Sequence, residues 1–390
     1  MKMKRSIDEI SDNNKKNELT NLLFLLKYKG QFQDGKRNGI GKLFLKNEQL
    51  YYHGQFQNGK PHGTGNFYYG NEKLLYEGQV QDGRPHGIGK MTNKKGELQY
   101  EGQVQDGKPH GIGKRYNENK QIIYEGEFQN GRYYGSGKGY DNNGHLLYEG
   151  EFQNGRYYGS GKGYDNNGHL LYDGQFQNGE PHGIGKKYDE NKQLIYEGEF
   201  QNGGYYGIGK KYSKDGKLLY DGQFQDGKPH GIGKRYHENK QIIYEGEFQN
   251  GRYYGIGKGY DNNGHLLYDG QFQNGQPHGI CKKYDENEKI IYDGQFQNGK
   301  ANGIGILYNE NGQVDYEGVF ENNSNVLHKN LTDNELNDIE DKTCTICLEN
   351  LSSTKLTSIM PCNHKFHHEC LEAYFKNRII CPNCRKICCI

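Results

Sequence analysis

The chain has 390 residues, of which 32% are hydrophobic, 59 are glycine and 34 are tyrosine, with no tryptophan; globular chains carry roughly 45–50% apolar residues, so one large buried core is excluded. Fifty lysines and arginines against 49 acidic residues give a formal charge of +1, which removes the basic footprint of a nucleic-acid binder. Aromatic residues at 13% are too many for a solvating disordered chain, and no run approaches the ~18 apolar residues of a membrane-spanning helix.

Residues 1–27 read as a tail. Its apolar stretch, Leu22-Leu23-Phe24-Leu25-Leu26, is too short for a signal-peptide core and follows Asp8, Glu9, Asp12 and Glu18, so an intracellular, cytoplasmic protein is expected. The stretch itself suits part of a helix or a leading strand.

From Tyr28 a Tyr-x-Gly signature recurs every 24 residues through Tyr316, giving twelve complete units and a truncated thirteenth. The units beginning at Tyr124 and Tyr148 are identical in sequence. A unique catalytic centre inside such an array is therefore not expected. Within one unit, alternation puts Ile122, Tyr124, Gly126 and Phe128 on one face and Ile123, Glu125 and Glu127 on the other, the period of a strand. Asn130-Gly131 tolerates positive φ at both central turn positions, and Asp141-Asn142-Asn143-Gly144 turns the chain back. Gly126, Gly135 and Gly137 leave shallow slots in which aromatic rings can lie against backbone. One hairpin per unit follows.

These residues resemble the MORN repeat family, whose pattern is close to Tyr-Glu-Gly-x-Trp-x-x-Gly-x-x-x-Gly-x-Gly, over residues 28–321. The resemblance implies a mostly β fold: an elongated, twisted, single-layer antiparallel sheet of hairpin repeats, about 115 Å long at the usual strand spacing. Phe128 and its equivalents, or valine at Val80, Val104 and Val319, stand where the family has tryptophan, and Cys281 replaces the second glycine of one Gly-x-Gly. His62, His86, His110, His182, His230 and His278 share one repeat position with Tyr134, Tyr158, Tyr206 and Tyr254. Because tyrosine substitutes freely there, the row is read as packing beside the turn rather than as a metal or pH site. Residues 28–320 carry 36 basic and 36 acidic residues, so membrane association, frequent in the family, is disfavoured here and a protein ligand is expected.

Residues 322–342 are polar and acidic and read as a linker, in which Thr332-Asp333-Asn334-Glu335 fits a helix cap. Then follow Cys344, Cys347, Cys362, His364, His367, Cys370, Cys381 and Cys384, three of whose gaps are Cys-x-x-Cys or His-x-x-Cys. Two-residue gaps let a tight turn offer two ligands to one ion, and eight thiolate and imidazole donors make two closed tetrahedral zinc sites that are structural rather than catalytic. With few apolar residues nearby, metal binding supplies most of the folding free energy.

This run is similar to the RING finger of the H2 subtype over residues 343–386, with residues 387–390 a tail. The resemblance implies cross-braced zincs, one held by Cys344, Cys347, His367 and Cys370 and the other by Cys362, His364, Cys381 and Cys384. His368 competes for the fifth place, and His367 is preferred because it keeps both neighbouring gaps at two. It also implies E3 ubiquitin ligase activity without a covalent intermediate. Ile346 and Pro382 match contacts to the ubiquitin-conjugating enzyme, Tyr374 lies where the family has tryptophan, and Arg385 matches the residue that bridges conjugating enzyme and ubiquitin. The competing expectation is a non-enzymatic scaffold whose zinc module mediates assembly.

Overall fold

The computed structural model describes residues 27–325, then Thr343, Cys344, Ile346, Cys347 and Glu349, residues 357–359 and 365–367, and Cys370. The N-terminal stretch and the helix cap expected at Thr332 lie outside the described residues. The chain divides into two units, residues 1–204 and 205–390. In the first, strands β1 (Lys27–Gln33) to β15 (Leu194–Gln201) pair antiparallel, each with its sequence neighbours. In the second, β16 (Gly204–Tyr212) to β26 (Ser324–Asn325) do the same, and a separate short pair joins β27 (Thr357–Ile359) to β28 (Lys365–His367). The fold is all strand, an open antiparallel hairpin sheet followed by the small Cys/His segment. Among the described residues no helix is long and apolar enough to cross a membrane.

One repeat explains the rest. Strand β9 (Ile122–Gln129) turns into β10 (Arg132–Tyr140) through Asn130 and Gly131, at φ of 52° and 83°, the double left-handed geometry that matches the twist of the flanking strands. The return to β11 (Leu146–Gln153) is closed by the Asp141 N–H donating to His145 O and by the Asp141 carboxylate accepting from the N–H of Asn143 and His145. Gly126 faces Gly137 across the ladder, and a β-carbon built on Gly137 would stand 2.7 Å from Tyr124 Cζ. The tyrosine ring lies flat over this glycine pair, and its hydroxyl donates to Glu127 O at 2.8 Å. Backbone replaces the second layer that a sheet normally needs.

The rings then form a relay. Tyr124 meets Phe128 edge-on at 5.0 Å and Phe152 of the next unit at 4.9 Å, and Tyr148 repeats this with Phe152 and Phe176 at 5.0 Å each. Edge-to-face geometry suits the ring quadrupoles, so each unit is tied to the next by favourable aromatic contacts. Tyr52, Tyr124, Tyr148, Tyr196 and Tyr244 are fully buried, and burial pushes the Tyr76 and Tyr172 hydroxyls up to about 12. The other face carries an alternating polar row, such as Lys114–Glu125 at 3.4 Å and Lys138–Glu149 at 3.3 Å, beside exposed isoleucines including Ile112 and Ile232.

Three expectations are corrected in detail. Gly135 is not a ring slot: at φ 54° it opens a bulge in which Glu127 alone faces Tyr134, Gly135 and Ser136, and the Glu127 carboxylate accepts from the Ser136 N–H at 3.2 Å. Val319 is not the tryptophan-position residue of its unit. Phe320 is, four residues after Tyr316, buried and edge-on to it at 5.2 Å, while Val319 pairs with Ile304. Strand pairing also continues beyond residue 321, because Asn322 and Asn323 adopt the turn at φ 50° and 72° and bring Asn325 opposite Phe320.

Candidate metal centre

The donors are presented by a turn and a short hairpin. Cys344 and Cys347 bracket a tight loop closed by the Cys344 N–H donating to Glu349 O at 2.9 Å. The pairing of β27 with β28 sets Thr357 opposite His367, and Phe366 and His367 are both buried at the end of that hairpin. Cys370 follows three residues on. The four donor atoms of Cys344, Cys347, His367 and Cys370 all lie within 4.8 Å of one another, and Cys347 Sγ stands 3.2 Å from His367 Nδ1.

Tetrahedral zinc with bonds of roughly 2.0–2.3 Å puts its donors about 3.5–3.8 Å apart, and three thiols with one imidazole form a common structural zinc set. The residues present therefore fit zinc. Burial raises the Cys344 thiol, yet the backbone N–H groups of Cys347, His367 and Ile346 aimed at its sulfur outweigh this and leave it below the ordinary range. Burial and the neighbouring Cys347 and Cys344 push the Cys370 thiol up to about 12. Crowded thiols resist sharing several negative charges, and a divalent ion relieves that repulsion.

The resemblance to the RING finger placed these four residues in one set, and the structure brings them together. Cys362, His364, His368, Tyr374, Cys381, Pro382, Cys384 and Arg385 lie outside the described residues. Ile346 is half-buried in the loop between two donors, where its backbone N–H also serves Cys344. Sequence reading weighed a partner contact against core packing for the Ile346 side chain and missed this backbone role, although the Cys-x-x-Cys spacing carries its signal: residues inside such a knuckle turn their amides toward the first sulfur. The histidine row of the array does not gather; among the described residues, the Cys344 cluster is the group whose donors converge.

Comparison with known families covers both regions. The Ring finger domain family matches residues 342–385. The MORN repeat family matches eight segments between residues 28 and 314, and a MORN repeat variant matches residues 133–154. The chain carries MORN repeats and a C-terminal RING-type finger. The units that the main MORN pattern passes over, those beginning at Tyr124, Tyr148, Tyr196 and Tyr244, have a Tyr-Tyr pair where most others have Pro-His. The substitution keeps the fold, since Tyr133 stacks on Tyr124 at 3.9 Å and the β19 (Ile242–Gln249) to β20 (Arg252–Tyr260) register is that of its neighbours.

Curated relatives match in short stretches. The mouse (Mus musculus) E3 ubiquitin-protein ligase DZIP3 is 46% identical over 46 residues, 12% of this chain and 4% of that protein. RING finger protein 122 of Homo sapiens is 38% identical over 45 residues, 12% of this chain and 29% of its own. E3 ubiquitin-protein ligase ATL23 of Arabidopsis thaliana is 42% identical over 57 residues, 14% of this chain and 35% of its own. The chain thus spans about a third or less of each of these relatives, and the likeness lies in the RING region. Among solved structures, S. aureus TarM aligns over 48% of this chain and 24% of its own at 10% identity with a TM-score of 0.13, too low to carry an argument.

Proposed function

We propose that this protein is a RING-type E3 ubiquitin transferase of the cytoplasm, with its MORN array as the substrate-binding or localising scaffold. The observation that carries the reading is the convergence of Cys344, Cys347, His367 and Cys370 inside a segment matched by the Ring finger family. Relatives named as E3 ubiquitin-protein ligases over the same region support it. Two zinc ions are proposed, the second on Cys362, His364, Cys381 and Cys384; when bound, they supply folding free energy and fix the loops.

The finger offers no nucleophile of its own. In this reading Ile346, Tyr374 and Pro382 hold the conjugating enzyme, and Arg385 bridges it to ubiquitin so that the thioester is restrained in an attack-ready pose. The substrate lysine amine then attacks the thioester carbonyl, the conjugating enzyme's thiolate leaves, and an isopeptide bond forms. Restricting the flexible ubiquitin lowers the entropic part of the barrier.

Autoubiquitination by the full chain across a panel of conjugating enzymes tests the activity. Chains are expected with at least one enzyme, suppressed by Ile346→Ala and by Arg385→Ala at unchanged zinc content, and abolished together with that content by Cys347→Ser. Native mass spectrometry should count two metals. Absence of activity with every conjugating enzyme would replace this reading with that of a non-enzymatic scaffold.

A further inference from the structure

Consecutive hairpin turns of the array are tied at one edge. The Gly83 N–H donates to Pro61 O, Gly155 to Tyr133 O and Gly179 to Tyr157 O, each at 2.9 Å. This sets the first turn residue of each unit against the first residue of the returning strand in the unit before. Where that pair is Lys60 and Asp82, they form an ion pair at 3.7 Å. Where it is Arg132 with Asn154, and Arg156 with Asn178, the carboxylate is replaced by an amide. Two adjacent guanidinium groups lose their built-in counter-charge.

Those residues border one cleft of about 290 Å³, lined by Arg132, Asn154, Arg156 and Asn178 with Gln153 and Tyr158 among its walls, and no acidic residue lines it. The nearby Glu151 carboxylate is folded into its own bulge, its Cδ 2.7 Å from where a β-carbon on Gly159 would stand. Other cations of this edge also face asparagine, Lys108 opposite Asn130 and Arg252 opposite Asn274 among them, but Arg132 and Arg156 are the one pair of neighbouring arginines that both do.

We infer that this cleft is a recognition site for a phosphorylated segment of a protein partner; the inference rests on the proposed substrate-binding role of the array and names the chemistry of that substrate. Two forked guanidiniums suit a phosphate dianion, each offering a pair of parallel N–H donors, and are better matched by two negative charges than by the single charge of a carboxylate. The amides of Gln153, Asn154 and Asn178 and the Tyr158 hydroxyl supply neutral donors and acceptors for the backbone of an extended peptide around the phosphate. A membrane is disfavoured because residues 28–320 balance 36 basic with 36 acidic residues.

The test is fluorescence anisotropy of the full chain with labelled peptides bearing a central phosphoserine, phosphothreonine or phosphotyrosine in neutral flanks, against their unphosphorylated twins. At least one phosphopeptide should bind, with its twin at least tenfold weaker. The double variant Arg132→Ala/Arg156→Ala should lose at least tenfold. So should Asn154→Asp/Asn178→Asp, which removes no arginine and restores only the counter-charge. The turn accepts aspartate, since Asp82 and Asp106 hold the equivalent position at φ 50°. Arg252→Ala, outside the cleft on the same repeat type, should bind as the parent does. Equal binding of the twins, no binding at all, or indifference to both double variants would overturn the inference. Arginine-dependent co-sedimentation with vesicles one-fifth phosphatidylserine, without peptide binding, would overturn it in favour of a lipid surface. No conjugating enzyme is present, so a chain inactive as a ligase still gives a clear answer here.

Discussion

A tyrosine lying on two glycines is the residue-scale unit of this protein, and Cys281 shows what happens when one glycine is lost. Cys281 faces Gly270 and is itself buried, its thiol pushed up to about 12 chiefly by burial. A β-carbon there occupies the space the ring would use. Tyr268 is accordingly only half-buried, and its ring sits 5.8 Å from Phe296 where Tyr244 and Phe272 are 5.0 Å apart. Among the described residues, Tyr268 also lacks the hydroxyl bond that Tyr244 and Tyr292 make to the backbone three residues on. Installing the defect elsewhere should reproduce it: Gly137→Cys is expected to evict the Tyr124 ring and cost about 1–3 kcal/mol through lost burial and one lost hydrogen bond. Chemical denaturation with tyrosine fluorescence would measure this, and an unchanged midpoint would mean that the ring does not depend on the slot. The sequence shows Cys281 as an odd letter in a repeat. That the letter displaces a ring on the neighbouring strand is visible only once the ring is seen on the glycine.

At the scale of the hairpin, the two turns differ in how strictly they choose residues. The Asn-Gly turn is legible in the sequence because both of its residues adopt left-handed φ and few residue types do so cheaply. The return turn needs one left-handed residue, and the chain places Gly96, Gly144 or Gly168 there in some units but Lys120, Lys192 or Lys240 in others, at φ of 63°, 65° and 71°. A β-carbon in that region crowds the neighbouring carbonyl. Lys120→Gly is therefore expected to stabilise the array by about 1 kcal/mol, read as a rise in denaturation midpoint with an unchanged slope. A fall would show that the lysine side chain repays its strain. The metal loop was legible for a similar reason, since two-residue gaps encode a turn chemistry. The Gln or Glu that fills each bulge was not, because its partner is a backbone N–H nine residues away, as in Gln103 accepting from Ile112 at 3.0 Å.

For the whole molecule, neighbour-only pairing makes stability a sum of unit and interface terms. Deleting Tyr148–Leu171, a copy of the unit before it, removes two strands and keeps every remaining strand in phase. The shortened chain should stay folded, with a circular-dichroism spectrum of the same form and a melting midpoint within ~5 °C of the parent. Deleting only Tyr148–Gly159 leaves an odd strand and reverses all that follows, so it should lose cooperative melting. Equal tolerance of both deletions would refute neighbour-only stacking. The full-unit deletion also removes Arg156 while preserving the fold, and phosphopeptide binding should vanish with it.

Sequence alone determined the repeat length, the strand and turn assignment, the Cys/His ligand spacing and the near-zero net charge, because each is a local or additive property. A period of two, an Asn-Gly pair or a two-residue ligand gap needs no distant partner to be meaningful. Tertiary structure decided what depends on residues meeting across strands. It set each ring on the glycines beside it and closed each bulge with a side chain. It gathered His367 with Cys344, Cys347 and Cys370, and it put Arg132 and Arg156 on one cleft where asparagine stands in place of aspartate. Register and turn-to-turn hydrogen bonds bring those partners within reach, and neither is written in any single stretch of chain.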